Sequence, residues 1–155
     1  MSQSMESNMS KGPTTVKDVL GFKGSEIYSV RGTDSLQTAV NVLREKRIGA
    51  VLVMTDSGQL EGILSERDIV RQLDGGVAND LAAPVESVMT KAVKSCAPSE
   101  LLLKVLGTMT EGRFRHMPVM DGDKVLGIVT IGDVVHYRLK ELEHEAVQMK
   151  QMIVG

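Results

Sequence analysis

The sequence is short of cysteine and of aromatic residues, and each shortage excludes a class of function. Cys96 is the single cysteine, so no intrachain disulfide can form and a zinc-type Cys/His cluster lacks its ligands. Tryptophan is absent, and aromatic residues make up 3% of the chain, which leaves few rings to stack on bases. The formal net charge of −2 provides no basic surface for a phosphate backbone. We therefore expect no metal site and no nucleic-acid partner.

Long apolar runs are also missing. No stretch approaches the roughly 20 apolar residues that span a bilayer, so we expect no membrane partner. Residues 1–13 are polar and rich in Ser and Met, without the apolar core of a signal peptide, and we predict a disordered tail there. These features indicate a cytoplasmic protein in a reducing compartment. Cys96 is interpreted as a small buried residue, with a reactive thiol as the alternative.

What the chain does contain is a repeated segment. Residues 62–68 and 127–133 each read Gly, two apolar residues, a hydroxyl residue, two variable residues and Asp, and they lie 127 − 62 = 65 residues apart. Residues 47–54 match 113–120 at an offset of 66, with the one-residue difference in a turn, where insertions are tolerated. The repeat predicts two similar halves, each with a strand that runs into a helix. Each half is small for a domain, so we expect the two to share a core.

Apolar periodicity assigns secondary structure to both halves. Leu36, Ala39, Val40 and Leu43 have the i, i+3, i+4, i+7 spacing of a helix with one buried face, and the spacing recurs 66 residues later. The predicted elements of the first half are strand 27–30, helix 34–46 capped by Thr33 or Asp34, strands 50–54 and 60–64, and helix 65–73. Those of the second half are strand 92–96, helix 99–111, a hairpin over 117–129 and a helix from Thr130. This order predicts an α/β (α+β) fold, β-α-β-β-α written twice, with Pro118 on an edge strand or at a strand's first residue because it has no N–H.

The last predicted helix continues past the end of the repeat. Its apolar residues step by 4, 3, 4, 3 and 4 along one face, a heptad seam made of Val135, Leu139, Leu142, Ala146, Met149 and Ile153. Either this face packs on its own domain or it pairs with a second copy. Because the seam outlasts the repeat, we expect a homodimer formed through a C-terminal helical extension, residues 141–155.

A hydroxyl residue followed three positions later by Asp stands at each strand-to-helix junction, Ser65 with Asp68 and Thr130 with Asp133. One interpretation is structural, since such a pair forms a capping box. The other is functional: N–H groups at a helix start attract phosphate, a carboxylate accepts both hydroxyls of a ribose, and the preceding glycine admits a close ligand. Phosphate, ribose and an apolar slot for a base together describe a nucleotide. A nucleophilic Ser65 would need a base close by, and Thr130 would be a poor equivalent.

The doubled Gly-x-x-Ser/Thr-x-x-Asp pattern, with the matching segments 47–51 and 113–119 before it, resembles a tandem pair of CBS domains, a Bateman module. The resemblance covers residues 14–140. It implies two β-α-β-β-α CBS repeats, residues 14–75 and 76–140, packed about a pseudo-twofold with nucleotide clefts between them and a C-terminal helical extension. Members of the family bind AMP, ADP or ATP, and sometimes NAD(H) or S-adenosylmethionine. They usually sense and rarely catalyse.

Carried onto this chain, the resemblance gives Asp68 and Asp133 the ribose hydroxyls, and Ser65 and Thr130 the ribose or phosphate. The residues it places beside the base and phosphate are Ile48, Gly49, Ala50, Arg67, Phe114, Arg115 and His116. The two sites are unequal, and the second is better supplied with phosphate-binding charge because Arg115 can clamp a phosphate. The alternatives are a solvated Arg115 and a His116 satisfied by a backbone carbonyl. A titrating His116 would make nucleotide affinity depend on pH.

The sequence therefore predicts a regulatory module that senses adenine nucleotides, with AMP the leading ligand, and signals to a separate effector protein. It requires no cofactor, holds no metal and is not an enzyme. The alternatives are a module that binds NAD(H) or S-adenosylmethionine in the same clefts, and a ligand-free protein-interaction module. In energy sensing, ligand binding would change the angle between the halves and so the affinity for the partner.

Overall fold

The structure is a computed structural model that describes residues 13–74 and 81–154. Over these residues the chain forms five α-helices and five strands in two small sheets, which confirms the mixed fold class. The helices are α1 (Val16–Lys23), α2 (Leu36–Lys46), α3 (Glu66–Asp74), α4 (Leu102–Gly112) and α5 (Ile131–Val154), with a short 3-10 turn at Val85–Ser87. The strands are β1 (Ser29–Val30), β2 (Ala50–Met54), β3 (Leu60–Ser65), β4 (His116–Asp121) and β5 (Lys124–Thr130). The predicted tail, Pro13 apart, and the predicted boundary between the repeats at residues 75 and 76 lie outside the described residues.

The chain divides into two compact units that do not follow the order of the repeats. The middle unit contains residues 26–74, 81–95 and 120–126 of the described chain. The terminal unit contains residues 13–25, 96–119 and 127–154. Each unit therefore includes the first segment of the other repeat. Residues 81–95, at the start of the second repeat, lie in the middle unit with most of the first repeat, and residues 13–25, at the start of the first repeat, lie in the terminal unit with most of the second. We call these two stretches the lead-in segments.

The middle unit is built on the sheet β1-β2-β3, in which β2 is parallel to β1 and antiparallel to β3. Val51, Leu52 and Val53 of β2 are almost completely buried, as expected of a strand covered on both faces. The predicted buried stripe of α2 packs there through Leu36, Ala39 and Leu43. The helix periodicity was thus sufficient to identify this part of the core.

The start of α2 differs from the prediction. Its N-cap is Ser35, whose Oγ accepts a hydrogen bond from the backbone N–H of Thr38 at 3.2 Å. The assignment of Thr33 or Asp34 as the cap is wrong, because the Asp34 carboxylate accepts from the backbone N–H of Arg31 at 2.8 Å and closes the preceding turn. Strand β1 is also shorter than predicted, with only two residues paired to β2.

In the second repeat, residues 92–96 do not form the predicted strand. Cys96 makes a single parallel bridge to Val119, and its N–H donates to the carbonyl oxygen of Pro118 at 3.0 Å. Pro118 is the third residue of β4, in a two-stranded sheet where each strand is an edge. The prediction of an edge strand for this proline is confirmed, since β4 is paired with β5 alone. At the matching position of the first repeat, the N–H of Leu52 donates to the carbonyl oxygen of Tyr28, a bond that Pro118 cannot make.

The terminal unit packs α1 and α4 against the long helix α5. The ring of Phe22 meets that of Tyr137 edge-on, with 5.6 Å between centroids. Val134 and Tyr137 are almost fully buried, and the buried carboxylate of Glu141 accepts a hydrogen bond from the Thr14 hydroxyl. No helix in the described part of the chain is long and apolar enough to cross a membrane.

Candidate functional site

The first junction, residues 65–68, closes on itself through Ser65 and Asp68. The backbone N–H and the hydroxyl of Ser65 each donate to Asp68 Oδ2 at 3.0 Å, and the backbone N–H of Asp68 donates back to Ser65 Oγ at 3.2 Å. This arrangement is the reciprocal capping box that the spacing predicted. It starts α3 and holds the carboxylate in a fixed, largely buried position, with a side-chain exposure of 13%.

The second junction, residues 130–133, repeats the arrangement with one change. The backbone N–H of Thr130 donates to Asp133 Oδ2 at 2.9 Å, and that of Asp133 donates to Thr130 Oγ1 at 3.0 Å. Here the hydroxyl accepts and does not donate to the carboxylate. The proton of the Thr130 hydroxyl is therefore available to another acceptor, whereas that of Ser65 is used inside its own box.

Each junction is joined to the strand start of its own repeat. The backbone N–H of Glu66 donates to the carbonyl oxygen of Gly49 at 2.9 Å, and that of Ile131 donates to the carbonyl oxygen of Arg115 at 3.0 Å. Ala50 pairs directly with Ser65 across β2 and β3. The structure thus brings together Gly49, Ala50, Ser65 and Asp68 in the middle unit, and Arg115, His116, Thr130 and Asp133 in the terminal unit.

These hydrogen bonds occupy most of the backbone N–H groups that could otherwise bind a phosphate at the helix start. Within residues 65–68, the N–H groups of Ser65, Glu66 and Asp68 all donate to the chain itself, and the corresponding groups of the second junction do the same. A phosphate near either junction would therefore be held chiefly by side chains. Arg67 and Arg115, both exposed, are the predicted residues that carry a suitable charge.

Two of the predicted residues contribute mainly to packing. Ile48 is half-buried against the core of the middle unit. Phe114 is half-buried against the end of α4, so close that a side chain at Gly112 would collide with its ring. His116 is the half-buried first residue of β4 and takes part in further interactions there. All three therefore lie in sequence next to the junction contacts of their own repeat, Ile48 and Phe114 as packing residues.

Sequence reasoning missed Lys23, the last residue of α1. Its Nζ lies 2.5 Å from Asp133 Oδ2 and 2.8 Å from the carbonyl oxygen of Ile128. Both side chains of the ion pair are about one quarter exposed. An alignment of the starts of the two repeats that matches Val16 with Val85 also matches Lys23 with Ala92. That alignment would have shown a positive charge at this position in one repeat and none in the other.

The glycines of the repeated motif lie against other parts of the chain. A Cβ at Gly62 would lie 2.7 Å from Met89 Sδ and 2.8 Å from the carbonyl oxygen of Thr90. A Cβ at Gly127 would lie 3.1 Å from a methyl carbon of Leu20. Packing alone therefore accounts for a glycine at both positions, because residues 81–95 or residues 13–25 fill the space that a side chain would take. The interpretation that these glycines admit a close ligand stays a prediction.

The second repeat thus has the same strand start, hydroxyl and carboxylate as the first. Comparison with known proteins identifies the family in which this arrangement occurs. The family model described as the CBS domain matches residues 10–75 and 85–140. The chain belongs to the CBS-domain family. A CBS-domain pair is a regulatory module, which confirms the coarse function that the repeated motif predicted.

Three CBS relatives illustrate the match. The CBS-domain containing protein ATU1752 from Agrobacterium tumefaciens superposes with a TM-score of 0.78 at 38% identity, over 83% of this chain and 96% of that one. The mitochondrial CBS domain-containing protein CBSX3 of Arabidopsis thaliana is 30% identical over 153 residues, 92% of this chain and 73% of its own length. The CBS domain pair of MJ0100, solved with methylthioadenosine and S-adenosylmethionine, has a TM-score of 0.71 at 25% identity, over 81% of this chain and 95% of that one.

Neither junction carries a cluster of potential metal ligands in the described part of the chain. Among the described residues, no group of three or more His, Cys, Asp and Glu side chains is placed to hold a metal ion. Burial raises the pKa of the Cys96 thiol to about 12, with a smaller contribution from the charge of Glu100. The thiol is therefore protonated near neutral pH, which supports its interpretation as a small buried residue.

Proposed function

We propose that this CBS pair senses an adenine nucleotide, with AMP as the leading ligand, through the two junctions at residues 65–68 and 130–133. The observation that carries the proposal is the repeated carboxylate, fixed by its capping box and beside the start of a neighbouring strand. In each box the hydrogen bonds fall on Oδ2, so Oδ1 of Asp68 and Asp133 can accept from a ribose hydroxyl. Arg71 Nη1 lies 4.0 Å from Oδ1 of Asp68, beyond hydrogen-bond distance.

The other predicted site residues have defined roles in this proposal. The free hydroxyl proton of Thr130 can reach a ribose or phosphate oxygen, and Arg67 and Arg115 supply charge for a phosphate. Ala50 and His116 begin the strands that border each carboxylate. Ile48, Gly49 and Phe114 provide the backbone and apolar surface next to the base.

Charge at the second junction favours a phosphate-bearing ligand. The MJ0100 pair was solved with two adenosyl compounds, one of them the cationic S-adenosylmethionine, which supports an adenosine moiety as the common element. In this chain the ammonium of Lys23 lies beside the carboxylate, and Arg115 directly precedes β4. Two positive side chains repel a sulfonium and attract a phosphate, so AMP, ADP, ATP and NAD(H) rank above S-adenosylmethionine.

The proposal extends to what the sensor does with its ligand. Because binding can act only through a difference in affinity between conformations, a separate effector protein must distinguish the ligand-bound from the ligand-free form. We propose that the module acts without catalysis, in the cytoplasm, as a homodimer that reports the energy state of the cell.

The second candidate is a ligand-free interaction module. One observation favours it: both capping boxes form within the chain itself, so the motif has a structural role that needs no ligand. The two candidates differ in what they predict for a protein stripped of carried-over nucleotide.

Thermal unfolding of the stripped protein in the presence of AMP, ADP, ATP, NAD, NADH and S-adenosylmethionine separates the two candidates. A ligand at about 100 times its Kd adds roughly 2.7 kcal/mol to the free energy of unfolding. For a chain of this size the midpoint then rises by on the order of 5–10 °C. A shift with one of the nucleotides supports the sensor. The absence of a shift with all six compounds would favour the interaction module.

A further inference from the structure

Helix α5 has two apolar faces, and only one of them is covered. Val134, Tyr137 and Glu141 lie on the buried face. The heptad seam lies on the other face, where Val135 is 44% exposed, Leu139 54%, Leu142 44%, Met149 63% and Ile153 82%. The alternative that the seam packs on its own domain is therefore wrong for the described residues. An apolar stripe of this length is unusual on a protein that acts alone.

The charges beside the seam are arranged in a pattern that a second copy can match. In the heptad notation, Arg138 and Glu145 take the g positions, and Glu143 and Lys150 take the e positions. All four side chains are exposed or partly exposed, Arg138 the least of them at 41%. Glu143 pairs with Lys140 at 3.5 Å and Arg138 with Glu145 at 3.9 Å, and these exposed contacts are individually weak. Arg138 also lies 3.5 Å from the buried carboxylate of Glu141.

The orientation of a pair of such helices follows from which charges meet. In a parallel pair, each g residue faces the e residue five positions later, so Arg138 meets Glu143 and Glu145 meets Lys150 of the second copy. Both contacts are attractive, and each occurs twice. In an antiparallel pair with the seam residues fully matched, the centre falls near residue 144. Glu143 then faces Glu143, and Glu145 faces Glu145, of the other copy, and both contacts are repulsive.

We propose that two copies of this chain pair through the seam of α5 as a parallel, in-register coiled coil. The inference rests on the proposed homodimer and adds its geometry. Because α5 begins at Ile131, the two second junctions lie at the same end of the coil. The seam begins at Val135, two residues after Asp133, so the proposed ribose carboxylate and the dimer contact share one helical turn.

A single cysteine placed in the seam tests the orientation. In a parallel coil, Met149 faces Met149 of the second copy, so the Met149→Cys variant should form a covalent dimer under mild oxidation. In an antiparallel coil it faces Leu139. A covalent dimer that forms only when Met149→Cys and Leu139→Cys chains are mixed would therefore overturn the proposal. The control is Gln151→Cys, which points away from the seam and should stay monomeric on a denaturing gel. The buried Cys96 of the parent chain does not compete.

Charge reversal provides an independent measurement on a reversible dimer. Lys150→Glu should raise the dimer dissociation constant by on the order of tenfold, because two attractive contacts become repulsive, and adding Glu145→Lys should restore it. The control Lys124→Glu, at the exposed start of β5, should change it by less than about twofold. A monomeric parent protein in light scattering, or a Lys150→Glu effect that Glu145→Lys does not reverse, would overturn the proposal.

The nucleotide panel separates this inference from the proposed function. Cross-linking of Met149→Cys together with no nucleotide-induced shift would retain the coil and reject the nucleotide sensor. A nucleotide-induced shift in a protein that remains monomeric would do the reverse.

Discussion

The ammonium of Lys23 lies 2.5 Å from the carboxylate of Asp133 and also donates to the carbonyl oxygen of Ile128. Lys23 belongs to α1, at the start of the first repeat, whereas Asp133 belongs to the second repeat. In the first junction the corresponding place on the carboxylate is taken by the hydroxyl of Ser65. The two junctions therefore share a motif but differ in the cation beside the carboxylate. Lys23 comes from a distant segment, whereas Arg71, whose Nη1 lies 4.0 Å from Asp68 Oδ1, belongs to the same helix as Asp68.

Replacing Lys23 should change which ligands the second site prefers. The Lys23→Met variant keeps most of the side-chain volume and removes the charge, so AMP affinity at the second site should fall about fivefold relative to that of S-adenosylmethionine. Isothermal titration with both compounds measures the ratio. Lys17→Met, on the exposed face of the same helix, is the matched control and should leave the ratio unchanged. An unaltered ratio in the Lys23 variant would show that its charge does not reach the ligand.

The Asp133→Ala substitution should abolish nucleotide binding at the second site while the chain stays folded. It removes the proposed ribose acceptor together with half of a capping box, which costs about 1 kcal/mol of stability. Far-UV circular dichroism and titration with AMP measure the two effects, and Asp68→Ala provides the mirror experiment for the first site. If AMP still binds with the stoichiometry and affinity of the parent protein, the carboxylate is not part of the site.

Glycine substitutions test the packing of the lead-in segments. Gly62→Ala should destabilise the protein by about 1–3 kcal/mol, because the new Cβ would meet the Thr90 backbone and Met89 at less than 3 Å. Gly127→Ala should cost less, since the flexible end of Leu20 is its nearest neighbour. Gly107→Ala is the control in α4, where nothing lies within 4 Å, and it should stabilise by about 0.5–1 kcal/mol. Urea unfolding gives all three values, and equal costs at the three positions would contradict the close packing around Gly62.

The features of the fold that the sequence predicted correctly are those set by interactions between residues close together in the chain. The spacing of Leu36, Ala39 and Leu43 identified the buried face of α2, and the repeated hydroxyl and Asp identified two capping boxes, because both signals lie within one or two helical turns. The cap of α2 was misassigned because Thr33, Asp34 and Ser35 are all competent caps, and the turn before the helix decides among them.

What the sequence could not supply were contacts between distant segments. Residues 81–95 pack with the first repeat and residues 13–25 with the second, an exchange that periodicity within one segment does not record. Both Lys23 beside Asp133 and Met89 against Gly62 follow from that exchange. For the same reason the sequence did not show that the close neighbour of each motif glycine is another part of the chain.

Cys96 should make the stability of the protein depend on pH in the alkaline range. Burial raises the pKa of its thiol to about 12 in the folded chain, whereas an unfolded cysteine ionises near 8.5. Between these values the folded state binds more protons than the unfolded state, so the free energy of unfolding falls as pH rises above about 8.5. Urea unfolding at a series of pH values from 8 to 10.5 should give a steeper decline for the parent chain than for Cys96→Ala. Because lysines and tyrosines titrate in both proteins, the difference between the two slopes isolates the thiol, and parallel slopes would mean that Cys96 ionises in the folded chain as readily as in the unfolded one.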